Sequence, residues 1–316
     1  MPTPTPEQVH VDQLLSNISI AYRPVGMIAD QIFPIVGVNK QSGLFAIYNK
    51  SNWFRVPNTR QAPGTVPNDV AFTVGSGQYI TQKFGLGTDV WYETQRNADN
   101  PFAPLQDGTE FLRDQLALDF EQRVFNLCAT GCGSSQALTG TDALSDFDNS
   151  DPLTVFRTGR QAVRSTTGRR PNVCVIGQKA WDILQYHPDL VRAAYPGAGI
   201  GGTLQQDQFA RILGVDKILV GETIKNTAQE GQADTFTDVW STHMFYMYIE
   251  PNPGLMKPSF GYAFNWTNPT DGSPPSFSIK RREDLKREST ELWTSYYQDE
   301  RIVAPELGFM IQSGIV

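Results

Sequence analysis

The order of predicted elements constrains this chain more than any single motif. Its first strongly signalled helix begins near Asp107, one third of the way along 316 residues, and the chain before it predicts an arm and strands. An extended N-terminal third has little of its own to pack against, because a lone hairpin is only marginally stable in water. This order favours a protein that assembles from copies of itself over a compact enzyme.

The composition is that of a folded protein. Hydrophobic residues make up 40% and charged residues 19%, and the length is enough for one large or two modest domains. The net charge of −7 argues against a general nucleic-acid binder, since phosphate contacts need clustered Lys and Arg. It leaves open a protein that encloses DNA without gripping it.

The three cysteines, Cys128, Cys132 and Cys174, do not make a disulfide framework, so a reducing compartment is indicated. Cys128 and Cys132 are close in sequence, but no second Cys or His pair completes a metal site, and buried thiols are the better interpretation. No metal or other cofactor is predicted. The N-terminus lacks the pattern of a signal peptide, and no apolar run approaches the ~18 residues of a membrane span.

The N-terminal region predicts an arm over residues 1–43 and a hairpin over residues 44–89. The early prolines favour extended backbone, and the apolar segment Val25–Val38 is expected to dock on a body elsewhere. A polar, proline-containing tip, Pro57–Asn68, lies between the second and third of four alternating runs, and the whole excursion needs another surface to lie on. The four runs are Leu44–Tyr48, Trp53–Val56, Val70–Val74 and Tyr79–Phe84.

A long helix is predicted over Asp107–Thr130. Asp107 is expected to cap its first amides, with Glu110 as the partner in a capping box, and Gly131 ends it. At 1.5 Å per residue the helix would span ~35 Å. The segment 132–150 is rich in Gly, Ser, Asp and Thr and predicts a linker or exposed loop. An apolar stripe recurs at every fourth residue of the helix: Leu112, Leu116, Phe120 and Val124.

Beyond residue 150 the pattern changes to alternating helices and strands, which is typical of a mixed α/β domain. Ser150-Asp151-Pro152 is a strong helix start. Strand alternation returns after Pro275, and the apolar tail Glu306–Gln312 is expected to close a sheet, so the overall class is α+β. The predicted helices are 152–166, 178–186, a short one from His187 and 204–213, and the predicted strands are 172–176, 217–220, 244–249, 260–266, 277–281 and 292–297.

The sequence offers little for catalysis. Its three histidines, His10, His187 and His243, fall in no recognisable catalytic motif. Gly197–Gly202 looks like a dinucleotide loop, but a helix end and a proline precede it where a strand is required, so a surface loop is favoured. No catalytic residue is predicted, although the sequence leaves open a carboxylate pair.

A run of arginines is the clearest charged feature. Arg157, Arg160 and Arg164 share one face of the helix predicted over 152–166. Three interpretations are open: recognition of carboxylates on a neighbouring subunit, contact with packaged nucleic acid, or a solvated face.

These parts, in this order, resemble the major capsid protein of tailed bacteriophages, whose fold is named after phage HK97. Ile28–Pro34 resembles the arm of one group of coat proteins, and Val175–Trp181, His187–Leu190 and Ile212–Glu222 resemble its axial domain. The resemblance covers nearly the whole chain. It implies that residues 1–43 are the arm, 44–89 the extended loop, 90–150 and 267–300 the peripheral domain with a spine helix at 107–130, and 151–266 and 301–316 the axial domain.

The resemblance implies a structural protein without enzymatic activity, whose copies form pentamers and hexamers in an icosahedral shell. That shell would enclose viral double-stranded DNA without sequence-specific binding, as the capsid of a virion assembled in the host bacterial cytoplasm. The implied partners are a scaffolding protein, a portal and, in some shells, a decoration protein, and no membrane is involved. The expected inter-subunit contacts are Ile32, Phe33, Ile35, Trp53, Arg55, Arg60, Arg157, Arg160 and Arg164.

Two alternatives stay open at this point. An encapsulin-type compartment shell shares the fold that the resemblance implies. A cytosolic α/β enzyme would use residues 150–265, but it needs a convergent polar site that the sequence does not signal.

Overall fold

The computed structural model describes residues 24–98, 102–195, 202–254, 256–267 and 278–313. The part of the predicted arm before residue 24, and nearly all of the glycine-rich loop Gly197–Gly202, lie outside the described residues.

Within the described ranges the chain alternates between helices and short strands. The helices are α1 (Ala29–Ile32), α2 (Lys50–Trp53), α3 (Tyr92–Asn97), α4 (Pro104–Gly131), α5 (Pro152–Thr167), α6 (Gln178–Leu184), α7 (Pro188–Ala194) and α8 (Gln206–Leu213), with 3-10 turns at Gly140–Asp142 and Pro305–Leu307. The strands are β1 (Ile35–Val38), β2 (Ser42–Tyr48), β3 (Val74–Ile80), β4 (Gln82–Trp91), β5 (Ser134–Leu138), β6 (Val173–Gly177), β7 (Lys217–Gly221), β8 (Ile224–Asn226), β9 (Phe236–Asp238), β10 (His243–Met247), β11 (Gly261–Trp266), β12 (Ser278–Asp284), β13 (Ser289–Ile302) and β14 (Gly308–Ser313).

The long strand β13 organises the first sheet. β11 and β12 follow one another along one edge of β13, β4 pairs with the other edge, and β1 adds in parallel beside β11. Helix α4 packs across β4 and β13, where Leu112 contacts Val90 and Leu292. Arg123 of α4 also donates to Glu300 of β13, with 2.9 Å between Nη2 and Oε1. The long helix is therefore fixed to the sheet by both apolar and charged contacts.

The second sheet has the strand order β5-β14-β10-β6-β7. Its central strands β6 and β10 are buried almost throughout, because helices cover the sheet and the strands carry apolar side chains in continuous runs. The tail strand β14 pairs with both β10 and β5, so the prediction that the tail closes a sheet is confirmed.

Local capping signals located helix α5 correctly. The Asp151 side chain accepts a hydrogen bond from the Thr154 amide at 3.0 Å, Pro152 occupies the first turn, and Gly168 ends the helix with a φ of +71°. A left-handed residue suits glycine because it has no β-carbon to clash with the backbone. The predicted start and end of this helix are confirmed to within one residue.

The predicted start of the long helix is wrong. Helix α4 begins at Pro104, and the backbone amide of Asp107 donates to the carbonyl of Ala103 inside the first turn. Proline at the first position is pre-organised for a helix and loses no hydrogen bond there, so it starts the helix one turn before the acidic residue that was expected to cap it. With 28 residues, α4 spans ~42 Å.

Strand pairing also differs from two sequence predictions. Residues 132–150 were expected to be a linker or loop, but they contain β5, which pairs in parallel with β14 in the second sheet. Strand β11 was grouped with the preceding α/β region, but it pairs with β13 in the first sheet. Both pairings join segments far apart in sequence, so no local pattern announces them.

Candidate assembly surfaces

The base of the predicted hairpin is anchored to the first sheet. β2 and β3 pair antiparallel from Ser42↔Ile80 to Tyr48↔Val74. The ring of Phe264 on β11 lies between those of Phe45 and Tyr79, with centroids 5.5 Å and 4.7 Å away. These stacked rings attach the base of the hairpin to the first sheet.

The tip of the hairpin, residues 49–73, carries apolar side chains that remain largely exposed. The predicted strand Trp53–Val56 is wrong, because the Asn49 side chain caps a single helical turn, α2, which ends at Phe54. Arg55 and Arg60 are exposed. Exposed apolar groups concentrated on one segment mark an interaction surface. The largely exposed side chains are Trp53, Phe54, Val56, Val66, Val70 and Phe72.

Two contacts tie α2 to the body of its own chain. Lys50 Nζ lies 2.8 Å from a carboxylate oxygen of Glu306, in the turn before β14. The Phe54 ring lies against Gly168, where a β-carbon would come within 3.3 Å of it. Because Lys50 is exposed and Glu306 is partly exposed, the ion pair contributes little to stability.

Two of the expected inter-subunit contacts in the arm are instead part of the chain's own core. Ile32 and Phe33 are 0% exposed, and the Phe33 ring meets Phe260 edge-on at 6.0 Å. The expectation that they contact a neighbour is therefore wrong: the apolar segment docks on its own body, beside β11. Ile35, the next apolar residue, is 42% exposed and remains accessible.

A buried carboxylate holds this arm segment in place. Glu121 of α4 is 0% exposed. It accepts hydrogen bonds from the backbone amides of Ile28 at 3.1 Å and Ala29 at 2.9 Å, and from the indole nitrogen of Trp240. Burial raises the pKa of Glu121, and these donors partly offset that effect by stabilising its charged form. One side chain thus joins the arm, the long helix and the segment before β10.

The three arginines of α5 do not form one free face. Arg157 and Arg164 are exposed, but Arg160 is half-buried, and its Nη1 donates to the carbonyl of Leu213 at 3.2 Å, at the end of α8. Arg160 therefore caps a helix of its own chain. Arg157 and Arg164 alone remain available to a partner.

Ser150 and His187 form a buried pair whose chemistry is structural. The Ser150 hydroxyl lies 2.9 Å from His187 Nε2, and His187 Nδ1 accepts the backbone amide of Asp189 at 3.3 Å. Because Nδ1 is an acceptor, the neutral ring carries its proton on Nε2 and donates to Ser150. A general base would need the opposite arrangement, so the pair does not activate the serine.

The geometry of this pair predicts a pH dependence of stability. Burial lowers the pKa of His187 below its unfolded value of about 6.5, although Asp189 and Asp151 oppose the shift. The stability contributed by the neutral ring is therefore present above about pH 6.5 and is lost as the pH falls through the folded pKa. Urea unfolding at about pH 7.5 and about pH 5.5 should give a steeper pH dependence for the wild type than for His187→Asn, which can cap but cannot titrate. Equal pH dependence in the two proteins would contradict this account.

Cys128 and Cys174 are buried thiols, as predicted, whereas Cys132, which was also predicted to be buried, is only partly buried. Burial raises the pKa of Cys128 and Cys174 well above the ordinary range and that of Cys132 to about 12. All three are therefore protonated and unreactive at neutral pH. In the described part of the chain, no three Cys, His, Asp or Glu side chains cluster as a metal site would require. Of the helices described, none combines the length and apolar character needed to cross a bilayer.

Two curated relatives match the chain along nearly its full length. The major capsid protein of Pseudomonas phage JBD67 is 29% identical over 313 residues, covering 96% of this chain and 97% of the relative. The major capsid protein of Burkholderia phage BcepMu is 28% identical over 320 residues, covering 96% of each. No family model matches the chain.

Solved structures share the fold at lower identity. A phage-related protein from Bordetella bronchiseptica RB50 has a TM-score of 0.68 and 24% identity, covering 96% of this chain and 97% of that one. The mature capsid of bacteriophage PhiM1 has a TM-score of 0.58 and 12% identity, covering 99% and 100%. The SrpI encapsulin of Synechococcus elongatus PCC 7942 has a TM-score of 0.57 and 9% identity, covering 96% and 95%. The chain therefore has the HK97-type fold, and its resemblance to the major capsid proteins of tailed phages is confirmed.

Proposed function

We propose that this chain is a phage major capsid protein, whose copies assemble into the closed shell of the virion. The observation that carries the proposal is the hairpin tip: a segment of 25 residues, numbered 49–73, leaves the body with its apolar side chains uncovered, on a fold shared with capsids. Apolar surface of this kind is stabilised when a partner removes it from water. A second copy of the chain is the partner that a shell supplies.

The proposal extends to the arrangement of the copies, the contents of the shell and the partners in its assembly. Copies form pentamers and hexamers that tile an icosahedral shell around double-stranded DNA, which the shell encloses without reading its sequence. The net charge of −7 suits enclosure better than tight binding. A scaffolding protein and a portal take part in assembly in the host cytoplasm, and a decoration protein can bind the finished shell.

We assign the two sheets to the two domains of such a subunit. The first sheet with α4 is the peripheral domain, and the second sheet with α5 to α8 is the axial domain. Under this assignment β5 belongs to the axial domain and β11 to the peripheral domain, in keeping with their strand partners. The role is structural and not catalytic, which is supported by the names of the relatives and by the inactive arrangement of Ser150 and His187.

An encapsulin-type compartment is the second candidate, because an encapsulin shell shares the fold. The phage relatives, at 29% and 28% identity against 9% for the encapsulin, favour the capsid. The contents of native particles separate the two: nuclease-protected double-stranded DNA supports a capsid, and a cargo protein supports a compartment.

The experiment that tests shell formation is a mass measurement on the full-length chain. Light scattering should give particles of many subunits, either directly or after addition of the scaffolding protein. A mass that stays at one or two subunits with and without scaffold contradicts the proposal.

Charge reversal on α5 tests whether its free arginines contact a neighbour. Arg157→Glu with Arg164→Glu should raise the critical concentration for assembly at least about tenfold. If these arginines face carboxylates of a neighbouring subunit, the new glutamates repel those carboxylates, and the repulsion is repeated in every copy. Arg157→Ala with Arg164→Ala is the matched control and should have a smaller effect. Light scattering against protein concentration measures both, and an unchanged critical concentration in the Glu variant would exclude contact with a neighbouring subunit.

A further inference from the structure

Three exposed arginines meet where the hairpin contacts the end of α5. The Phe54 ring lies against Gly168, and a β-carbon at residue 168 would come within 3.3 Å of that ring. Arg55 directly follows Phe54, and Arg169 and Arg170 directly follow Gly168. All three arginines are exposed. The fold therefore gathers Arg55, Arg169 and Arg170 into one basic patch, although residues 55 and 169 are far apart in sequence.

The positive charge of this arginine patch is not neutralised within the subunit. Among the described residues, none of the three arginines pairs with a carboxylate. Two carboxylates of the same region are each paired with a lysine instead: Glu306 with Lys50 at 2.8 Å, and Glu250, which also contacts Tyr248, with Lys257 at 3.5 Å. Like charges gathered at a surface repel one another, so an anion that covers the patch stabilises it.

A tyrosine ring holds one of these arginines in place. The guanidinium carbon of Arg169 lies 4.9 Å from the centroid of the Tyr248 ring, and its Nη1 donates to the Tyr248 hydroxyl at 2.6 Å. Arg169 stays exposed despite both contacts. A side chain that is already ordered loses less conformational entropy on binding. The remaining N–H groups of this guanidinium are therefore well placed to donate to an anion such as a phosphate.

The surroundings of the patch favour a nucleic acid over a second protein. Beside Phe54 this surface is polar: in the segment 164–170 every residue except Thr167 is exposed, and none has an apolar side chain. The centre of an interface between proteins is apolar, whereas an interface with DNA is more polar and much more positively charged. The residues around the arginines thus match the second kind of interface.

We propose that the arginine patch binds phosphates of the double-stranded DNA that the shell encloses. The contact rests on the proposed shell function and names the surface through which each subunit meets its contents. Because the whole chain has a net charge of −7, the attraction is local, weak and easily screened by salt. Phosphates carry no base identity, so the contact does not read the DNA sequence. Arg55, which the sequence assigned to a neighbouring subunit, belongs to this patch instead.

The salt dependence of DNA binding tests the patch. Fluorescence anisotropy of a short labelled DNA duplex gives the affinity of the full-length protein at each salt concentration. Three phosphate contacts predict a slope of about −2.7 for the logarithm of the binding constant against that of the salt concentration, which is a loss of about 40-fold in affinity between 50 and 200 mM salt. Two duplexes of unrelated sequence should bind alike.

A matched pair of triple variants shows whether the patch carries this binding. A variant with glutamine at all three patch arginines should bind at least about tenfold more weakly at low salt, with a slope near zero. The control removes three exposed arginines from other parts of the surface, changes the net charge equally, and should keep the wild-type affinity and slope. It is Arg96→Gln with Arg113→Gln and Arg211→Gln. No measurable binding by the wild type at low salt, or an equal loss in the two variants, overturns the proposal.

Chemical labelling of native particles tests whether the patch faces the DNA. Phenylglyoxal modifies accessible arginines, and mass spectrometry of the digested protein locates them. Arg169 and Arg170 should be protected in DNA-filled particles and become labelled once the DNA is removed. Protection in both states would place the patch between subunits, and labelling in both states would place it on the outer surface; either result overturns the inference.

The outcomes separate this inference from the proposed function. A wild type that never assembles, with or without scaffold, refutes the shell function whatever its affinity for DNA. A wild type that assembles, while the patch variant binds DNA as tightly as the wild type does, refutes the inference alone. A patch variant that keeps its DNA affinity but assembles only at a higher concentration assigns the arginines to a neighbouring copy and likewise overturns the inference.

Discussion

Replacing residues 49–73 by Asn-Gly is expected to abolish shell assembly and to leave the subunit folded. β2 and β3 would then be joined by a two-residue turn, which matches the twist of an antiparallel pair. The subunit should lose at most about 1 kcal/mol, since the removed side chains are exposed and the Lys50–Glu306 pair lies at the surface. Assembly should fail because, in the proposed shell, a neighbouring copy covers the apolar tip.

Light scattering and circular dichroism together measure this result. A full-length control, Val56→Ser with Phe72→Ser, keeps the hairpin but removes two of its exposed apolar side chains. It should assemble only at a higher protein concentration than the wild type. If the shortened protein forms shells as readily as the wild type, the hairpin is not an assembly element.

Glu121→Ala is expected to cost the most stability of any single substitution considered. It leaves the buried amides of Ile28 and Ala29 and the indole N–H of Trp240 without their acceptor. Loss of one partner from a buried charged network costs on the order of 3–5 kcal/mol. Glu121→Gln should lose less stability than Glu121→Ala, because it keeps one acceptor oxygen and removes the cost of burying a charge. It should still be less stable than the wild type, because its side-chain NH2 group would face one of the N–H donors.

Urea unfolding followed by tryptophan fluorescence gives the free energy of unfolding for each variant. Arg113→Ala, at an exposed position of the same helix, is the control and should stay within about 0.5 kcal/mol of the wild type. Hydrogen exchange should show faster exchange of the Ile28 and Ala29 amides in Glu121→Ala. An alanine variant as stable as the wild type would contradict the role given to Glu121.

Local signals in the sequence located many of the elements. The cap at Asp151, the proline after it and the glycine at 168 act within a few residues, so they fixed both ends of α5. The same reasoning failed at α4, because Pro104 started the helix before the acidic residue that resembled a cap. Strand pairs such as β5 with β14 depend on contacts across the whole chain, which a local pattern does not contain.

The candidate surfaces were only partly predictable. The sequence predicted a polar, proline-containing tip at Pro57–Asn68. The exposed apolar side chains on either side of it were not predicted, because those runs were interpreted as strands. The burial of Ile32 and Phe33 in their own core was not predicted either, since an apolar arm can dock on its own body or on a neighbour.

Glu121 is not among the residues predicted to be buried, because a glutamate is rarely buried without a partner. Its spacing of three from Val124 and seven from Cys128 puts it on the buried face, so this signal was present in the sequence.

The most direct test of the account is negative-stain electron microscopy of the purified full-length protein, with light-scattering mass on the same sample. The account predicts closed shells, or pentamers and hexamers that close when the scaffolding protein is added. A stable monomer or dimer under every condition, with or without scaffold, would contradict it.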